Sequence, residues 1–348
     1  MVKRFLETAR AWTARLVIGL AGLILFCTIV IAWALSARPA LEDLTWVPPA
    51  PVEADAGSVT VTWLGVTTLL FDDGETQILI DGFFSRPSLA DVVFRVPVES
   101  DVAQINRVMD EYDMRRLAAI IPVHSHFDHA MDVGAIANRS NASILGSETT
   151  AMIARGAGVP EDQIVVVEDG DRFPFGAFTV TILASAHAPI GWGGSVPLAG
   201  SVTAPLVPPA PVTAYREGES YTILVAHAEG QTLIQGSAGL VDRSLRNVRA
   251  DVVMLGTFGI AGLGNDYARK YWQTFVTRTG ARRVFPIHFD DYTKPFGHTE
   301  PFPRVIDDFA DTVRLLENLR QIWDTDTRVY LPVFGEPIVL YAPAAPEA

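Results

Sequence analysis

The sequence predicts an α/β (α+β) domain, arranged as two β-rich halves each covered by helices, behind an N-terminal membrane-anchor helix. Three observations carry that expectation. Residues 16–35 form an uncharged apolar run, long enough to cross a bilayer as a helix. From residue 58 onward, apolar runs of strand length alternate with stretches of helical period. No segment repeats at fixed spacing and no second linker interrupts the chain, which points to one large domain.

Composition agrees with the first two observations. A chain of 348 residues with 49% hydrophobic and 19% charged residues suits a globular domain carrying an added apolar element and excludes disorder. Residues 1–15 form a basic leader in which Lys3, Arg4, Arg10 and Arg15 face only Glu7. Such a leader keeps the N-terminus in the cytoplasm and places the catalytic body outside it, on the periplasmic or extracellular side. A cleavable signal peptide is the competing reading, because small residues at Ala34, Ser36 and Ala37 offer a cleavage site. Its apolar core would be long, since such cores usually run about 7–15 residues. The single cysteine, Cys27, sits inside the run, so the exported part has neither disulfide nor thiolate ligand. The net charge of −13 divides into +3 on the leader and −16 beyond the anchor, a poor footprint for nucleic acid.

Residues 36–57, with Pro39, Pro48, Pro49 and Pro51, read as a semi-rigid spacer. The domain proper is expected over 58–341, with a short tail at 342–348. Val59, Val61 and Trp63 alternate with threonines as a half-buried strand, and 69–71 and 77–80 give two more, joined at Asp72-Asp73-Gly74. Asp81 closes the third, where its carboxylate could orient a ligating histidine or simply cap a turn. Helical spacing marks 101–114, 131–138, 266–278 and 305–323. Further strands are expected at 117–123, 143–145, 164–167, 178–184, 221–226, 232–235, 251–255 and 283–286.

The chemistry sits where those strands end. Directly after the apolar run 117–123 come His124-Ser125-His126-Phe127-Asp128-His129. Three of the seven histidines of the chain fall within six positions beside an aspartate. A His-x-His pair on extended backbone can send two imidazoles to one ion, while Asp128 and His129 turn toward a second position. His187 and His288 each follow a predicted strand, and side chains at strand ends converge on a common rim, so both could complete the cluster. Each alone also reads as a turn or partly buried histidine.

The run His124-x-His126-x-Asp128-His129, followed in order by His187 and His288, resembles the metallo-β-lactamase superfamily. The resemblance implies a four-layer αββα sandwich holding one or two ions between its sheets. Trp63-Leu64-Gly65, the segment Ile78-Leu79-Ile80-Asp81-Gly82-Phe83-Phe84-Ser85-Arg86-Pro87 and Pro286-Ile287-His288 are similar to the branch that includes ascorbate-phosphate lactonases and N-acyl-phosphatidylethanolamine phospholipase D. Carried over residue by residue, the resemblance assigns His124, His126 and His187 to one metal position and Asp128, His129 and His288 to the other. It implies a metal-bound hydroxide, oriented by Asp128, attacking phosphorus or carbonyl carbon. Zinc is the expected metal, with manganese or iron also compatible.

Two positions depart from the pattern. Where the family offers a bridging aspartate, this chain has Ser237 in Gly236-Ser237-Ala238-Gly239, and Asp290 or Asp291 is the candidate replacement ligand, the alternative being two loop caps. Val66 stands where the branch often has histidine. Between His187 and Arg216, residues 188–212 form an uncharged flap with six prolines and Trp192. Such a flap suits the apolar part of a lipid substrate, or else packs on its own domain or on a second copy. His227 is expected to be exposed in a hairpin; His298 and Trp192 are candidate substrate contacts.

The expected function is therefore a membrane-anchored zinc-dependent hydrolase of phosphodiesters, including lipid-derived ones. A lactone or carboxylic ester hydrolase is the alternative at the same site. A non-catalytic metal-binding or interaction domain is the alternative of another class. Expected partners are a small-molecule or lipid substrate and the membrane.

Overall fold

The structure is a computed structural model and describes residues 2–55, 57–241, 245 and 247–341, with side chains from residue 12 onward. The tail 342–348 and the leader side chains up to residue 11 lie outside the described residues. The chain opens with α1 (Val2–Ser36), whose segment Trp12–Ser36 is long and apolar enough to cross a membrane and has no buried face.

Two seven-stranded sheets follow. The first takes β1 (Thr60–Trp63), β2 (Leu69–Asp72) and β3 (Gln77–Ile80) as an antiparallel meander. After α2 (Leu89–Phe94), the two-residue strand β4 (Pro97–Val98) and α3 (Val102–Glu111), it adds β5 (Leu117–Ile121) parallel to β3. Then come α4 (Phe127–Ala130), α5 (Val133–Ser140), β6 (Ser143–Gly146), α6 (Glu148–Gly156) and β7 (Ile164–Val166), the strands again parallel. The second sheet pairs β8 (Arg172–Phe175) with β9 (Phe178–Ala184). The strand β10 (Ala210–Pro211) then pairs with β4 in a separate ribbon. The second sheet continues through β11 (Tyr221–His227) and β12 (Gly230–Gln235), antiparallel, into β13 (Val252–Gly256). It ends, after α7 (Ile260–Leu263) and α8 (Asn265–Trp272), with β14 (Arg283–Ile287), α9 (Phe309–Trp323) and β15 (Arg328–Val329) in parallel order. The last strand, β16 (Pro337–Val339), returns to pair with β1.

Period-two alternation explains the layering. Ile78 and Ile80 of β3 and Ala119 and Ile121 of β5 face the second sheet, against Ile182, Ile223 and Ile234, while Leu79 and Ile120 pack outward on Ile105, Ile136 and Ile153 of the helices. The outer face of the second sheet is covered by α8 and α9 through Trp272, Phe275, Phe309 and Leu316. The result is helices, sheet, sheet, helices.

Several expectations shift. The strand at 59–63 is buried on both faces, because Thr62 is covered as well as Val61 and Trp63. The helix expected over 305–323 starts at Phe309, since the Asp308 side chain accepts from Asp311 N and ends the extended chain there. The helix expected over 266–278 runs as α8 and then widens into a π-turn over Gln273–Thr277. The expected spacer is not loose: Arg304 N–H donates to the Ala37 carbonyl, Leu331 N–H donates to Val47, and Trp46 is buried with its Nε1–H on Glu317. An apolar indole and strand-like hydrogen bonds outweigh the prolines and lay this segment on the domain.

Candidate metal centre

Strand ends on both sheets build the site. Beyond β3 the chain turns at Asp81 (φ 58°), beyond β12 at Ala238 (φ 50°) and beyond β14 at His288 (φ 56°). Left-handed backbone at non-glycine residues costs roughly 1–3 kcal/mol each and persists only where surroundings enforce it. Val66 (φ 51°) is the most demanding case, since a branched Cβ opposes this conformation. Its N–H donates to Asp290 Oδ1 at 2.7 Å and its carbonyl accepts from His288 N–H at 2.8 Å. Gly65 beside it leaves no choice of residue: its φ is +88° and a Cβ would lie 2.0 Å from the Arg86 guanidinium.

These turns gather two groups of potential donors. His124, His126 and His187 form one, and Asp128, His129 and His288 the other, with the ligand atoms of each group within 4.8 Å of one another. The groups adjoin, because the His124 and His129 rings lie 3.9 Å apart between centroids. All six predicted residues are thus brought together. His124, His126, Asp128, His129 and His288 are buried and His187 is partly covered.

Hydrogen bonds fix which nitrogen faces inward. Ser237 Oγ lies 2.8 Å from His124 Nδ1, Asp81 Oδ2 lies 2.6 Å from His129 Nδ1, and the Ala188 carbonyl lies 2.8 Å from His187 Nδ1. Each leaves Nε2 for the centre. His126 differs, presenting Nδ1 at 2.8 Å from His124 Nε2. Asp81 also accepts from Val123 N–H, so one fully buried carboxylate sets both the ring and the strand end that carries the cluster. The Asp128 carboxylate reaches both His129 Nε2 and His288 Nε2 at 3.5 Å.

Electrostatics keep most of these groups in metal-ready form. Burial holds His124 well below the ordinary histidine value and pushes His126 down to about 3 and His187 to about 4, so their lone pairs stay free. Burial raises Asp81. It opposes charge on Asp128 too, but His129 and His288 beside it outweigh burial and hold this carboxylate below its usual range. His129 is raised: burial works against its charging, and Asp81 and Asp128 overcome it. Buried Nε2 of His126, Nε2 of His129 and Nδ1 of His288 have no hydrogen-bond partner among the described residues. Unpaired buried nitrogen is costly, and a bound cation would satisfy the inward-facing Nε2 of His129. The donor set fits a divalent ion in each group.

The replacement-ligand expectation fails on geometry. Asp290 is fully buried, 3.2 Å from Arg86, and Asp291 binds Arg38 at 2.8 Å and the Thr293 hydroxyl at 2.6 Å. Both carboxylates are consumed by arginines and backbone turns, so neither joins the donor groups. Ser237 Oγ meets the donor groups at the back of His124, on Nδ1. His298 is exposed in a turn closed on Pro295, and Trp192 points into solvent. His227 is not exposed as expected; it ends β11 against the Phe178 ring, with Nε2 3.8 Å from Asp73. Sequence reasoning missed Ile190 and Phe258, which line the cleft with His187, Ser237 and His288. A single apolar residue in a loop gives no periodic signal.

No family model matches the chain. A UPF0173 metal-dependent hydrolase of Heliobacterium modesticaldum is 26% identical over 256 residues, spanning 72% of this chain and 91% of that protein. With strand-end histidines and two facing sheets together, the architecture is decided. The chain has the four-layer αββα fold of the metallo-β-lactamase type and is similar to this metal-dependent hydrolase. A second UPF0173 metal-dependent hydrolase, from a Roseiflexus species, is 30% identical over 132 residues, 37% of this chain and 48% of that protein. Among solved structures, one described as a possible metal-dependent hydrolase from Veillonella parvula superposes with a TM-score of 0.50 at 15% identity, covering 81% of this chain and all of that one. In this chain the donor groups lie where strands of the two sheets end.

Proposed function

We propose that this chain is a metal-dependent hydrolase whose substrate is a phosphodiester, anchored in a membrane by α1. The observation that carries the reading is the pair of adjoining donor groups, His124/His126/His187 and Asp128/His129/His288, with the inward-facing His129 Nε2 left without a hydrogen-bond partner among the described residues. When bound, a pair of divalent ions would acidify water and neutralise charge on the ester oxygens. The chain's own residues do the rest. Asp81, Ser237 and the Ala188 carbonyl hold three imidazoles in the required tautomer and orientation. Asp128, held between His129 and His288 of its own group, is the acceptor that holds a proton and orients the attacking oxygen. Phe258 and Ile190 wall the cleft and exclude water, which strengthens every charge interaction inside.

Five imidazoles with one carboxylate suit zinc, and manganese and iron accept the same donors. Anchoring is supported by α1 itself: Trp12 and Trp33 are exposed 21 residues apart, about 31 Å along a helix, which matches the roughly 30 Å hydrocarbon layer with an aromatic residue at each face. The basic leader favours placing the domain outside the cytoplasm.

The test is metal analysis of the purified full-length protein, followed by hydrolysis of bis-(4-nitrophenyl) phosphate and of a simple lactone. Bound metal with phosphodiester turnover is expected. Lactone turnover alone would move the reading to a carboxylic ester hydrolase, and a protein that takes up no metal would end both.

A further inference from the structure

The domain does not hang from its anchor; it is bolted to it. One residue past α1, the Ala37 carbonyl accepts from Arg304 N–H at 2.8 Å, and Arg38 reaches the Pro301 carbonyl and Asp291. From Trp33 at the membrane face to Ala37 is about 8 Å of chain, roughly the depth of the headgroup layer. The side chains after Arg304 are Val305 and Ile306, 64% and 47% exposed. Both stand, partly uncovered, just after the residue that is bonded to the foot of α1.

A series of contacts leads from there to the mouth of the metal site. Ile306 precedes Asp307, which accepts from Gly259 N–H; Gly259 lies against Ile190; and Ile190 lines the cleft two residues before Trp192, which is 98% exposed. On the other flank, Asp290 pairs with Arg86, two residues before the Ser88 cap of α2, whose tip carries Val93 and Phe94, 61% and 77% exposed. Single exposed apolar residues are ordinary. A tryptophan and four aliphatic or phenyl groups, on loops and on α2, are linked by these contacts to one helix foot and expose apolar area that water does not favour.

We propose that the domain is seated on the bilayer that α1 spans, with Trp192, Val305, Ile306, Val93 and Phe94 in the headgroup layer. The mouth of the metal site then faces the membrane, and the substrate is a phosphodiester lipid drawn from it. The substrate half rests on the hydrolase reading above; the seating does not. Tryptophan and aliphatic side chains partition to this depth for the same reason interfacial helices do.

The experiment uses full-length protein with Cys27→Ser, carrying a single cysteine labelled with an environment-sensitive dye at position 192, 306 or 322, in phosphatidylcholine/phosphatidylglycerol vesicles. Ile322 is exposed near the far end of α9, about 20 Å along the helix from Phe309. Dyes at 192 and 306 should be quenched by lipids spin-labelled near the headgroup and shielded from aqueous iodide, with the opposite pattern at 322. Iodide quenching at 192 and 306 equal to that at 322 would overturn the seating. Shielding that follows protein density in the vesicle and not lipid spin label would also overturn it, in favour of a second copy. For the substrate, Ile306→Asp should lower turnover of a vesicle-borne phosphodiester lipid roughly tenfold and leave soluble bis-(4-nitrophenyl) phosphate unchanged. Equal loss on both substrates, or on neither, would refute delivery from the membrane. Failure of the unmodified protein on both substrates would refute the hydrolase reading, while the quenching result decides the seating independently.

Discussion

Replacing Asp81 by asparagine should remove one metal ion from the pair. The side chain is fully buried, with Oδ1 accepting from Val123 N–H at 2.8 Å and Oδ2 2.6 Å from His129 Nδ1. An amide of the same size brings two N–H donors to a place whose two partners, Val123 N–H and His129 Nδ1–H, are themselves donors. If its nitrogen faces Val123, two donors meet. If it faces His129, Nδ1 must accept, and the imidazole proton moves to Nε2, the atom 3.5 Å from Asp128. A protonated Nε2 has no lone pair to give. Loss of the partner behind a ligating histidine typically weakens metal binding 10–100-fold, about 1.4–2.7 kcal/mol. Asp81→Ala should fall at the lower end, because water can replace the carboxylate at Nδ1; Asp81→Asn should reach the upper end or exceed it. The assay is metal content by mass spectrometry during titration with a weak chelator, with circular dichroism of the metal-free variants as the folding control. An asparagine variant that keeps both ions at wild-type affinity, or binds them more tightly than the alanine variant, would refute the orienting role.

Ser237→Ala removes one hydrogen bond from His124, worth about 1 kcal/mol, so affinity at the three-histidine group should fall roughly fivefold by the same titration without loss of stoichiometry. Asp290→Ala leaves the Arg86 guanidinium buried without its partner, and the cost should be about 3–5 kcal/mol in thermal or denaturant unfolding. Metal per folded chain should not change; loss of an ion from a folded variant would restore Asp290 as a ligand. Burial holds Asp307 up to about 7, against 3.8 in an unfolded chain. Its native state therefore binds the proton more tightly, and the stability this gives is full below about pH 4 and is lost as pH rises toward 7. Over that window the change is at most roughly 4 kcal/mol. Asp307→Asn, which can still accept from Gly259 N–H, should match wild type in Tm at pH 4 and exceed it progressively up to pH 7; a Tm difference constant in pH would show that this carboxyl does not titrate there.

The order of strands and helices was legible because both sheets are covered on both faces, so β3, β5, β12, β13 and β14 read as continuous apolar runs that no surface segment would carry. Short elements escaped for the converse reason. Four-residue α4 and α7 and the edge strands β15 and β16 are too brief to show a period. The packing of residues 37–47 was hidden by their prolines: local composition reads as a spacer, and the partners that hold it, among them Asp291, Arg304, Glu317 and Leu331, lie far away in sequence.

The sequence by itself determined the ligand candidates, because histidines placed directly after apolar strands can only gather where the sheets end. It determined the apolar N-terminal helix too, since twenty uncharged residues in a row make a helix long enough to cross a membrane. Only the tertiary structure decided which carboxylates serve the site. Asp81, Asp290 and Asp291 look alike in sequence, each next to a strand or a turn. Asp81 lies opposite a histidine across 48 residues of chain, while the other two lie opposite arginines 204 and 253 residues away. A carboxylate's role is set by the charge it faces, and that pairing is fixed by strand register and loop path over distances that local pattern does not encode.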